Sequence, residues 1–177
     1  MARALSICAI LSCAVLGWSQ DLSRPKVSVT LEPPEATSVE RGRPGTVELQ
    51  FRVAPGFHIN SNQPKQEYLK KTELELAPPK DIVIGKIAYP EGHDLSFPFA
   101  PDEKLNVYSG DFAIHIVVRP LKSVTPMNYA VNGVLKYQAC DNAECFPPKQ
   151  LPVTFEVKVT KDRSQSRAPV ESSRGHS

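Results

Sequence analysis

Apolar residues along this chain recur at every second position, and that spacing restricts the fold to strands. The runs are Val27, Val29, Leu31; Val47, Leu49, Phe51, Val53; Phe112, Ile114, Ile116, Val118; Tyr129, Val131, Leu135, Tyr137; and Val153, Phe155, Val157, Val159. Side chains two apart lie on one face of a strand, so each run offers one face to a core and the other to water. Shorter, less regular strands are expected at residues 73–76, 82–89 and 105–108. Seventeen prolines leave no window for a long helix. Glu32-Pro33-Pro34, Ala54-Pro55-Gly56, Ala77-Pro78-Pro79, Tyr89-Pro90-Glu91-Gly92, Phe97-Pro98 and Pro147-Pro148 mark turns and sheet edges. Seven or eight half-buried strands separated by such signals favour an all-β, two-sheet antiparallel sandwich over a parallel α/β fold. No internal repeat is visible.

The two ends of the chain fall outside this pattern. Met1-Ala2-Arg3, an apolar stretch over residues 4–16 and Gly17-Trp18-Ser19 have the order of a secretory signal peptide, with cleavage expected after Ser19. About 13 apolar residues are too few to span a bilayer, which takes roughly 20. A lipoprotein signal ending at Cys13 fits less well, because the apolar stretch runs past it. Residues 161–177 lack aromatics and any apolar period, so a disordered tail is expected there. One domain over residues 20–160 remains, of ordinary size and with its own core. Net charge is +2, from 21 basic and 19 acidic residues mixed along the chain, so no basic stripe points to nucleic acid.

Removal of the signal takes Cys8 and Cys13 with it and leaves Cys140 and Cys145, in a periplasmic or secreted setting where disulfides persist. Two cysteines permit one pairing. The alternation of Tyr129, Val131, Leu135 and Tyr137, continued past the strand's end, puts Cys140 on the polar, outward side. As a staple the pair would be inefficient, since closing about six residues removes only about 2 kcal/mol of unfolded-state entropy. Asp141 and Glu144 flank the sulfurs and disfavour a thiolate, with Lys149 opposing them, so the thiols should react mainly when a partner docks. A structural zinc site needs four ligands, and His58, His93, His115 and His176 are scattered singly. No metal and no other cofactor is expected. Nucleophilic catalysis by a cysteine with one of these histidines is equally disfavoured in an oxidising compartment. Three readings stay open on these residues: a thiol-disulfide carrier, a secreted binding module with a structural disulfide, and an assembly factor that binds extended segments at a sheet edge.

The phrases Tyr137-Gln138-Ala139-Cys140-Asp141 and Cys145-Phe146-Pro147-Pro148, preceded by Gly56-Phe57-His58-Ile59-Asn60-Ser61-Asn62 and Val107-Tyr108-Ser109-Gly110, resemble the N-terminal periplasmic domain of the thiol:disulfide interchange protein DsbD. The resemblance runs over about residues 27–159. It implies an immunoglobulin-like sandwich whose cysteine pair passes electrons between thioredoxin-fold proteins, some serving disulfide isomerisation or cytochrome c maturation. In that family Cys145 would form the mixed disulfide and Cys140 would resolve it. A cap loop with an aromatic residue shields the pair; by position it falls at residues 93–99, with Phe97 or Phe99 as the lid and Asp94 near the sulfurs. Tyr137, His58, Asn60 and Asn62 should lie near the pair, the last three as loop residues or turn formers. Family members continue into a membrane domain and a thioredoxin domain. For this chain the resemblance therefore implies an electron donor in trans, such as a membrane electron transporter.

Overall fold

In a computed structural model, which describes residues 27–162, the chain is all β. The elements are β1 (Val29–Leu31), β2 (Thr37–Glu40), β3 (Gly45–Val53), β4 (His58–Asn60), β5 (Glu73–Ala77), β6 (Ile82–Ala88), β7 (His93–Phe97), β8 (Ala100–Tyr108), β9 (Asp111–Pro120), β10 (Asn128–Tyr137), β11 (Ala139–Cys140) and β12 (Lys149–Thr160). The expected signal peptide and nearly all of the expected tail lie outside the described residues. Every strand expected from the sequence is present, with ends shifted by a few residues.

Two four-stranded sheets, ordered β1-β3-β9-β6 and β2-β12-β10-β5, make the sandwich. Their inward faces are the period-two runs. Val47, Leu49 and Phe51 of β3 and Ile114 and Ile116 of β9 share one buried cluster with Val131 and Leu135 of β10 and Phe155 and Val157 of β12. Burial of each such side chain contributes about 1.5–3 kcal/mol. The sheets are antiparallel except where β2 runs parallel to β12, from Val157↔Thr37 to Thr160↔Glu40. Pro152 is tolerated inside β12 because β2 pairs only with residues 157–160, so at Pro152 one flank of the strand is an edge.

A third, smaller sheet, ordered β11-β4-β8-β7, extends the expected two-sheet plan and carries the cysteines. Three of its four strands, β4, β7 and β11, are short or lack alternation, which is why the sequence pattern passed over them. Its entry is built by Ala54-Pro55-Gly56-Phe57. The Phe57 amide donates to the Ala54 carbonyl at 3.0 Å, and Gly56 has φ 81°, the left-handed conformation that the third position of a type II turn requires. This turn delivers His58 directly into β4.

Candidate redox site

The site begins where β10 ends. The chain leaves the large sheet at Gln138 and starts again as β11, which pairs with β4 through Ala139↔Ile59 and Cys140↔His58. The change of sheet at Gln138 breaks the alternation, so Ala139 and Cys140 are both buried and Cys140 is 0% exposed. The outward placement expected from strand parity is thus corrected: parity holds only while one strand persists. Cys145 is partly exposed.

Cys140 and Cys145 form a disulfide, with Cα atoms 3.9 Å apart and an isolated antiparallel bridge between them. Asp141 closes the loop from inside. Its Oδ1 accepts from the amides of Ala143 at 2.8 Å and Glu144 at 3.0 Å, and its own amide donates to the Glu144 carbonyl at 2.9 Å. An aspartate accepting from amides two and three residues ahead is an Asx-type turn. Asp141 is therefore a loop former as well as a nearby charge, while Glu144 is exposed. On the exit side Phe146 donates its amide to the Ala139 carbonyl at 2.8 Å and packs its ring on Phe57, centroids 5.9 Å apart.

Gln138, not singled out from the sequence, ties the loop down. Its Nε2 donates to the Phe146 carbonyl at 3.2 Å, and its Oε1 accepts from Asn60 Nδ2 at 3.4 Å and the Lys70 amide at 3.3 Å. The signal the sequence offered was its place in the Tyr137-Gln138-Ala139-Cys140 phrase. Asn60 also donates to the Lys70 carbonyl at 2.9 Å and accepts from Thr72 Oγ1 on its own carbonyl at 2.5 Å. His58 and Asn60 are buried strand residues rather than loop residues. Asn62 lies in the following loop and accepts from the Tyr108 hydroxyl at 2.6 Å. Tyr137 belongs to the main core, its hydroxyl 3.3 Å from Ser28 Oγ.

The hairpin of β7 and β8 lies over this sheet. Its register shifts between Leu95 and Phe97, so that Phe97 is the one buried residue of β7, and Pro98-Phe99 forms the tip. Phe97 stacks on His58 with centroids 3.7 Å apart and planes 13° apart, and Phe99 stacks on Phe97 at 5.6 Å. His58 is also the register partner of Cys140, so Phe97 lies against a neighbour of the buried cysteine. Phe99 and Cys145 line one open cavity of about 450 Å³, together with Tyr68, Leu69, Asp102 and Glu103. Asp94 is engaged on the outer side of the hairpin, with Lys65 Nζ on one oxygen and Asn106 Nδ2 at 2.8 Å on the other. These bonds hold its carboxyl below the usual range, Asn106 being the larger cause. His58 is pushed down to about 4 by burial, partly offset by the Asp141 charge. Among the described residues no group of three or more His, Cys, Asp or Glu is placed to hold a metal ion.

A family model described as "Thiol:disulfide interchange protein DsbD, N-terminal" matches residues 28–157. The chain belongs to the DsbD N-terminal domain family. Thiol-disulfide exchange is the chemistry of this family, and here the cysteine pair stands at disulfide distance. DsbD N-terminal domains are periplasmic and work with thioredoxin-like redox partners. Among solved structures, the chain is similar to the reduced DsbD N-terminal domain of Neisseria meningitidis, with 19% identity and TM-score 0.40 over 63% of this chain and 77% of that one. It is also similar to the N-terminal periplasmic domain of ScsB from Proteus mirabilis, with 15% identity and TM-score 0.44 over 67% of this chain and 43% of that one. A type I cohesin from Pseudobacteroides cellulosolvens matches at 14% identity and TM-score 0.42, covering 81% and 96%. No curated protein matches the sequence. The assignment to the DsbD family rests on the match over residues 28–157.

Proposed function

We propose that this chain is a periplasmic electron carrier that accepts a reducing pair from one thioredoxin-fold protein and passes it to another through the Cys140–Cys145 disulfide. The observation that carries this reading is the unequal exposure of the two sulfurs. Cys145 opens onto a cavity beside Phe99, whereas Cys140 is fully buried against β4. In thiol-disulfide exchange the attacked sulfur must be accessible and the leaving sulfur need not be. Cys145 therefore takes the partner and Cys140 leaves, then returns to resolve.

Phe97 and Phe99 are the lid, and Asp141 and Gln138 keep the loop in its geometry. A lid over the pair limits encounter with small oxidants and thiols, while a docked protein can displace it. The experiment is a redox titration of residues 20–160 against glutathione. A potential above about −300 mV marks an exchange disulfide, whereas structural bridges lie below that value. A pair that stays oxidised below it would favour the structural-disulfide reading and set this one aside.

A further inference from the structure

His58 is a buried titratable group that the exchange chemistry described above leaves unused. It is 3% exposed, its Nε2 is buried and has no hydrogen-bond partner, and an orphaned buried nitrogen carries a desolvation cost of about 1–3 kcal/mol. Residues directly opposed in an antiparallel pair put their side chains on the same face, with Cβ atoms about 4.5–5.5 Å apart. His58 and Cys140 are such a pair. The imidazole is thus held on the face of the sheet where the buried sulfur lies, and Phe97 closes the ring from above at 3.7 Å. The groups around it are Phe97 and Phe99 from the hairpin, which carry no charge, Cys140 from β11 and the Asp141 carboxylate from the cysteine loop.

A disulfide sulfur is a weak acceptor and asks nothing of Nε2, but a buried Cys140 thiolate needs a donor. We infer that His58 is the proton partner of Cys140, protonating the thiolate released when Cys145 is captured and taking the proton back when Cys140 resolves. This rests on the exchange function proposed above. In the forward direction a donor thiolate attacks Cys145 Sγ, a donor–Cys145 bond forms, the Cys140–Cys145 bond breaks, and its electron pair leaves on Cys140. As that thiolate forms, His58 takes up a proton from water and hands it to Cys140. The donor's second thiolate then attacks the donor sulfur of the mixed disulfide and releases Cys145 as a thiolate. In the return direction Cys145 attacks an acceptor disulfide. His58 takes the proton of Cys140, whose thiolate attacks Cys145 and expels the acceptor as a thiolate. The low affinity of His58 for a proton in the oxidised state fits this role, because the neutral ring rises toward protonation only when a thiolate forms opposite it.

The test follows the reduced protein mixed with dithionitrobenzoate in a stopped-flow instrument. The first equivalent of coloured thiolate reports capture of Cys145, and the second, unimolecular equivalent reports attack by Cys140. His58→Phe keeps a ring for Phe97 and removes both nitrogens. It should slow the second phase on the order of a hundredfold at neutral pH, with the inflection of the rate moved up toward the ordinary thiol value of about 8.5. Phe97→Ala removes the stack and keeps the imidazole, so its second phase should retain the inflection of the parent protein. Equal second-phase rates and pH profiles in the parent and His58→Phe proteins would overturn the assignment and leave His58 as a seat for Phe97. If His58→Phe does not fold, the parent profile decides: an inflection below the ordinary thiol range supports the assignment and one at that range overturns it. A parent protein with no second phase at all would instead contradict the exchange function.

Discussion

Replacing Phe97 by alanine tests whether the β7–β8 hairpin guards the disulfide. The ring is 9% exposed and stacks with both His58 and Phe99, with centroid distances of 3.7 and 5.6 Å. Phe→Ala in a closed core costs about 3–5 kcal/mol. This site has a smaller cluster around it, Leu105 and Val107 with Leu69 and Phe99 at its margin, and it borders an open cavity. A loss of about 2 kcal/mol is the fitting value, since side chains can close over part of the gap. The loss falls mainly on hairpin closure, because Phe97 is absent from the cluster that joins the two large sheets. A bias of about 2 kcal/mol is roughly thirtyfold in the open-to-closed ratio. Reduction of the disulfide by dithiothreitol, sampled by alkylation and mass measurement, should therefore accelerate by up to roughly thirtyfold, and the unfolding free energy should fall by about the same 2 kcal/mol. Leu95→Ala, an exposed change on the same hairpin, serves as the control and should leave the rate alone. A Phe97→Ala rate within about twofold of the parent would refute the argument, because the disulfide would then be open to thiols without any movement of the hairpin.

Three further outcomes are expected. Gln138→Ala removes the contacts to Asn60, Lys70 and Phe146 and should cost about 1–2 kcal/mol in urea unfolding, with hydrogen exchange rising first in residues 139–146. Gly133→Ala would place a Cβ 2.3 Å from the Glu75 carbonyl oxygen, so β5 must move off β10; a fall in thermal midpoint of several degrees, at about 1–3 kcal/mol, is the expected reading. His58 binds a proton less readily folded, at about 4, than unfolded, at about 6.5. Its contribution is therefore complete above pH 6.5 and is lost as the pH falls toward 4, reaching about 3 kcal/mol. Denaturant midpoints of the parent and His58→Phe proteins across that window should diverge in slope, and parallel curves would contradict the assignment of this group.

The sandwich was legible in the sequence because burying one face of a strand imposes a period of two. β3, β9, β10 and β12 all carry it, and their register follows from which residues must meet in the core. The small sheet was not legible in the same way. β4 is buried at all three positions and β7 is exposed at four of five, so neither alternates. The cysteine motif could be named from residue type and spacing, whereas the cap aromatics were placed by the family resemblance alone. The sheet change at Gln138 could not, because nothing in a strand's alternation announces where its pairing partner switches. That one break turned an expected outward Cys140 into a buried one, and with it supplied a firmer physical reason for Cys145 to meet the partner.

In the proposed exchange Cys145 forms the bond to a partner and Cys140 resolves it. The direct measurement uses Cys140→Ser and Cys145→Ser proteins, each incubated with a disulfide-activated thioredoxin-fold protein that lacks its second active-site cysteine, with products identified by peptide mass mapping. A thiol-reversible complex through Cys145 is expected in the Cys140→Ser protein and little or none in the Cys145→Ser protein, whose remaining sulfur is buried opposite His58. Equal trapping through either cysteine, or trapping through Cys140 alone, would contradict it.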